Sequence, residues 1–104
     1  MDAQIAEVDT APVRMTDVHR YQIIFNLSPS QAVFLAQLMR DEVVTHAWLA
    51  GNEDWNSNKL TIRVAIVRWR KKMAAYGVEL QTLAGTGYWL DTHAKALVRK
   101  ANGG

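Results

Sequence analysis

The spacing of apolar residues changes from segment to segment, and each spacing predicts a different element. Residues 1–15 are polar and small with a single proline, and read as a loose arm. His19 to Leu27, HRYQIIFNL, is rich in Ile, Phe and Tyr and predicts a short strand. Ser28-Pro29 then supplies a helix cap with proline at the first helical position. From Pro29 to about Asp41, Val33, Leu35, Leu38 and Met39 lie near a helical period. Val33, Ala36 and Met39, or Phe34 and Leu38, are alternative inner faces of that helix. Thr45 can cap a second short helix, HAWLAG, with Gly51 or Asn52 as its stop. GNEDWNSN follows as a polar connection interrupted by Trp55.

The third helix, Lys59 to Tyr76, is the clearest element. At about 100° per residue, Ile62, Ile66, Trp69 and Met73 share a narrow arc, with Ala65 at its edge. That arc predicts the buried face. The other side carries Arg63, Val64, Val67, Arg68 and Lys71, with Thr61 beside Arg68. Gly77 is a good stop. Beyond it, VELQTL and GYWL read as paired strands joined through Ala84-Gly85-Thr86-Gly87, where glycine reaches positive φ without penalty. THAKALVRKANGG predicts a short basic helix or tail over residues 92–104, capped by Thr92.

Composition narrows the class. The 104 residues suit one domain, and 49% hydrophobic residues suffice for a small core. There is no cysteine, which excludes a disulfide framework and a thiolate metal site. No apolar run has the length of a membrane span, and MDAQIAEVDTAPVRM lacks the pattern of a signal peptide. These features predict a soluble cytoplasmic protein.

Charge changes the picture more. The net charge of +2 hides two unequal halves. Residues 1–58 hold three basic and eight acidic side chains, a balance of −5; residues 59–104 hold nine and two, a balance of +7. A field concentrated in one half is the footprint expected of a polyanion site, although a merely solvated basic helix would look alike. The valines weigh against plain solvation. Val64 and Val67 stand among cations where Glu, Gln or Lys would be usual, unless a neighbouring loop covers them. Valine and threonine methyls suit the thymine methyl of a major groove, and arginine can take guanine O6 and N7 as a pair.

Other chemistry finds little support. His19, His46 and His93 show no metal-ligand spacing, and solvated or cap-adjacent roles suit them better. Asp41-Glu42 lacks a nucleophile partner, and no phosphate loop of the G-x-x-x-x-G-K type occurs. Among the tryptophans, Trp69 and Trp48 read as core, whereas Trp55 and Trp89 are candidates for a protein-partner surface.

From Leu27 to Leu90 the chain resembles the winged helix-turn-helix DNA-binding domain of OmpR/PhoB-type response regulators. LSPSQAVFLAQLM resembles that family's opening helix and VVTHAWL its second helix, with Thr45 at the usual capping position. TIRVAIVRWRKKM is similar to the recognition helix, and LQTLAGTGYWL to the terminal wing. The resemblance implies an α+β winged helix-turn-helix over residues 16–91. It would have a three-helix core, a C-terminal β-hairpin wing and a short N-terminal strand. It also implies base contacts from Thr61, Arg63, Val64, Val67 and Arg68. Arg70, Thr82, Gly85 and Tyr88 occupy places from which such domains touch the phosphate backbone or shape the contacts to it. Lys59, Lys71, Lys72 and Thr86 are further candidates for backbone contacts on their position and charge.

The departures concern specificity. Arg63 stands where the family usually has an acid, Ala65 where histidine is common, and Ala84 where many members carry a wing arginine. Trp69 replaces a leucine. No receiver domain precedes the module within these residues, which suits either a stand-alone regulator or a piece of a longer protein.

The expected function is therefore sequence-specific binding of double-stranded DNA in transcription regulation. The third helix would enter the major groove and the wing, residues 78–90, would lie on flanking backbone. No enzymatic activity, cofactor or metal is implied. Two copies bound as a homodimer or in tandem would fit the modest footprint of one module. The alternative is a winged helix kept as a protein-interaction module, docking RNA polymerase or another partner through Trp55, Trp89 or the loop 52–58.

Overall fold

A computed structural model describes residues 15–52, 55 and 59–103, apart from the side chains of Met15 and residues 59–61. The expected arm over residues 1–15 thus lies almost wholly outside the described residues. The fold is α+β, with five helices and one three-stranded antiparallel sheet among the described residues. In chain order these are α1 (Met15–Phe25), α2 (Pro29–Arg40), β1 (Val44–Thr45), α3 (His46–Gly51), α4 (Lys59–Ala74), β2 (Gln81–Leu83), β3 (Gly87–Trp89) and α5 (Thr92–Ala101).

The expected N-terminal strand is a helix. Its Ile, Phe and Tyr favour a strand by composition, but Val18, Tyr21 and Phe25 are the residues buried. That i, i+3, i+7 set is one helical face, and Ile23 on the other side is 82% exposed. Tertiary burial has overridden β propensity. Asn26 ends α1 in the left-handed region with φ 54°, a conformation asparagine tolerates.

Ser28 begins α2 as a full capping box. Its hydroxyl accepts from the Gln31 amide at 3.3 Å, and Gln31 Oε1 accepts from the Ser28 amide at 2.9 Å. Of the two candidate inner faces, the one with Phe34 and Leu38 is fully buried, and Leu35 joins it. Val33 and Met39 pack at the core margin.

Trp69, Phe34 and Trp55 form the centre. Trp69 is wholly buried, its ring 5.5 Å from Phe34 and nearly perpendicular to it. Its indole N–H donates to the Gln31 carbonyl at 3.3 Å, which supplies the partner that a buried Trp needs. Ile66 and Met73 complete the buried arc of α4, with Ile62 and Ala65 half-buried beside it, as the periodicity predicts.

The sheet runs in the order β1-β3-β2, so the hairpin's second strand is central. The hairpin pairs Gln81 with Trp89, Thr82 with Tyr88 and Leu83 with Gly87. β1 pairs Val44 with Tyr88 and Thr45 with Gly87, an association that the sequence reading did not anticipate. Thr45 also caps α3 as expected, its hydroxyl accepting from the Trp48 amide at 3.0 Å. α5 is capped by Asp91 rather than Thr92, with the Asp91 carboxylate accepting from the Ala94 amide at 2.8 Å. It is more than a basic tail, because Ala94 and Val98 are buried in the same core cluster.

Candidate nucleic-acid interface

The outward face of α4 contains no carboxylate and gathers its cations around two bare methyl-bearing side chains. Val64 is 42% exposed and Val67 54%, and no described loop covers them. Arg63, Arg68 and Lys71 are exposed as well, and all five residues line one open, shallow depression. The spacing explains the grouping. Val64, Val67, Arg68 and Lys71 are related by three or four residues and so are neighbours on the helix surface. Burial of Ile66, Trp69 and Met73 on the opposite side fixes which way that surface looks.

Two basic residues expected to touch phosphate are engaged inside the protein. Arg70 leaves the helix towards the hairpin, where its guanidinium donates to the Leu80 carbonyl at 3.0 Å and to the Thr82 hydroxyl at 2.9 Å. Lys72 reaches back to the turn between α1 and α2. Its ammonium donates to the Asn26 carbonyl at 2.7 Å and to Gln31 Oε1 at 3.1 Å. The side chains of Lys59 and Thr61, also expected to contact DNA, lie outside the described residues.

The hairpin tip is built by one tight turn. The Thr86 amide donates to the Leu83 carbonyl at 2.9 Å, and Gly85 between them has φ +75°. Thr86 also accepts the His46 amide at 2.9 Å through its carbonyl. Both backbone groups of Thr86 are therefore committed within the protein. Thr82, Gly85 and Thr86 are all exposed. Tyr88 is half-buried, its ring edge-on to Phe34 at 6.1 Å and to His46 at 5.5 Å.

His46 is the residue that sequence reasoning missed at this face. It is exposed, and with Leu49, Ala50, Ile62, Arg63 and Tyr88 it lines a recess of about 390 Å³ where α3, α4 and β3 meet. The available signal was its place directly after the Thr45 cap, which makes sense only once β1 is seen to join the sheet.

The expected tryptophan surface is not formed by Trp55. That side chain is 2% exposed, stacks 5.0 Å from Phe34 and donates its indole N–H to the Ser30 carbonyl at 2.9 Å. Short polar neighbours suggested exposure, but the ring folds back onto α2. Trp89 is half-buried, and so is Trp48, which packs against the core cluster. In the loop 52–58, residues 53, 54 and 56–58 lie outside the described residues.

No protein-family profile matches the chain, and no curated protein and no solved structure matches it. Among the described residues, no three His, Asp or Glu side chains group where they could hold a metal ion. No described helix is long and apolar enough to cross a membrane.

Proposed function

We propose that the chain is a sequence-specific double-stranded DNA-binding regulator of transcription with a winged helix-turn-helix architecture. α3 and α4 are the helix-turn-helix, α4 is the recognition helix, and the β2–β3 hairpin is the wing. One observation carries the reading: Arg63, Arg68 and Lys71 surround exposed Val64 and Val67 on a helix face free of carboxylates. Arginine at this face can read guanine through a bidentate pair, and the valine methyls can pack on the thymine methyl. Lys71 serves phosphate, and the exposed hairpin tip lies on flanking backbone. The resemblance to OmpR/PhoB-type domains supports the same docking. Against it as a protein-docking module stands the burial of Trp55, one of the two tryptophans on which that alternative leaned.

The test is a titration against random-sequence duplex DNA at two salt concentrations, with an Arg68→Ala/Lys71→Ala variant alongside. Salt-dependent binding that the variant loses is the expected outcome. A folded protein that ignores DNA at low salt would reject the proposal.

A further inference from the structure

Arg70, like Lys72, engages groups of the chain itself, but it does so through a planar fork. A lysine or arginine that serves phosphate should be free to move onto it, yet each terminal nitrogen of this guanidinium is already held by one hydrogen bond to the hairpin. One nitrogen donates to the Leu80 carbonyl at 3.0 Å and the other to the Thr82 hydroxyl at 2.9 Å. Those acceptors bracket the start of β2, residues Gln81–Leu83. Two bonds from one rigid plane restrain direction as well as distance more closely than a freely rotating ammonium does.

The rest of the hairpin's anchorage makes this restraint consequential. β3 is held on its far edge by β1, through Val44 opposite Tyr88 and Thr45 opposite Gly87. β2 is the outer strand of the sheet order, with no strand on its other side among the described residues. It is three residues long, and its residues are half-buried or exposed. Buried Leu80 precedes it, and Arg70 joins it at Leu80 and Thr82.

We infer that Arg70 is a positioning residue: it is the strut that sets the angle of the hairpin against α4, and not a phosphate ligand. The inference rests on the DNA reading for its functional consequence, since the hairpin matters to binding only if it lies on DNA. Its structural half does not. Through the strut, the distance from the helix face at Arg68 to the hairpin tip at Gly85 is fixed before DNA arrives. The contacts made by α4 and those made by the tip are therefore made together, without the entropy loss of ordering a loose hairpin.

Arg70→Lys decides the matter, because it keeps the charge and removes the fork. Two measurements are made on the full chain, beside Thr82→Val and the wild type. The first is hydrogen exchange of the backbone amides. Faster exchange at the hairpin amides, including that of Thr86, with α4 unchanged, is the expected result for Arg70→Lys. Unchanged hairpin exchange overturns the strut, whatever DNA does. The second is affinity for a duplex selected from a random pool with the wild type, and for the same duplex trimmed at the end where footprinting places the hairpin.

Arg70→Lys should lose about tenfold on the long duplex and little on the trimmed one. Thr82→Val should lose in the same direction, and the two losses should overlap in the double variant instead of multiplying. Arg70→Lys binding the long duplex like the wild type would show that the charge alone matters, which overturns the strut and leaves DNA binding standing. An equal loss on both duplexes would also overturn it, since the effect would then be unrelated to the hairpin. If the wild type selects no duplex, the DNA reading fails, and the exchange measurement alone decides the strut.

Discussion

Lys71 and Lys72 are neighbours in the sequence with different work to do. Lys71 is exposed beside Val67 on the outward face, whereas Lys72 ties α4 to the turn between α1 and α2. Lys71→Ala should flatten the salt dependence of DNA binding by about one unit and leave stability nearly unchanged. Lys72→Met should do the reverse, lowering stability by about 1 kcal/mol in a denaturant titration with the salt slope intact. Arg68→Ala, at the face itself, should weaken binding to a selected duplex by about 1–3 kcal/mol and relax preference at one base pair. Tyr21 gives a prediction of another kind. Burial, helped by the Asp17 carboxylate, raises its pKa above the usual 10.0, and Arg99 and Arg20 partly oppose the shift. A folded-state pKa above the unfolded value means that the native state holds its proton more tightly. The stabilisation is therefore complete below the unfolded pKa and is lost as pH rises through the folded one. Urea titrations across that alkaline range should show a decline in wild-type stability that Tyr21→Phe reduces.

Elements were legible where local signals and packing agree. Ser28-Pro29, the alternating four- and three-residue spacing of Ile62, Ile66, Trp69 and Met73, and Gly77 at φ +77° each mark a boundary or a face that one stretch of sequence determines. α1 was misread because composition and period disagreed, and burial of Val18, Tyr21 and Phe25 decided for the period. β1 could not be read from its own residues. Its two residues become a strand only because Gly87, forty residues on, comes within reach. The glycines of the hairpin separate these causes. A Cβ on Gly87 would meet the Val44 carbonyl oxygen at 2.1 Å and the Thr45 Cα at 2.8 Å, both backbone atoms that cannot swing aside. Gly85 has open space around it and needs glycine only for its φ of +75°. Gly85→Ala should thus cost about 1–2 kcal/mol, the ordinary penalty of a left-handed backbone. Gly87→Ala should cost about 3 kcal/mol, at the upper end for overpacking, and release β1 from the sheet. Thermal unfolding ranks the two, and loss of exchange protection at the His46 amide, which bonds to Thr86, reports the release.

At the scale of the whole molecule, the basic half of the sequence resolves into cations with separate duties. Arg70 and Lys72 are engaged in internal hydrogen bonds, and Lys95 donates to the Asp41 carbonyl at 3.3 Å. Sequence alone counts such residues as one positive patch, because charge carries no direction until the helix faces are set. Among the described side chains, Arg63, Arg68 and Lys71 are the cations on the outward face of α4. That smaller set gives a quantitative expectation. Each phosphate neutralised on duplex DNA contributes about −0.9 to the slope of log affinity against log salt, so one copy should give about −1 where both arginines take bases and Lys71 alone takes phosphate, and at most about −3 where all three take phosphate. Had every basic residue from Lys59 onward contributed, nine of them would give a slope near −8. Two copies bound cooperatively would instead double the single value, and would also change the stoichiometry. Affinity measured across a salt series, with the mass of the complex determined beside it, separates these cases. A slope between about −1 and −3 in a one-to-one complex fits docking through the outward face of α4, whereas a slope near zero removes the electrostatic basis of the DNA reading.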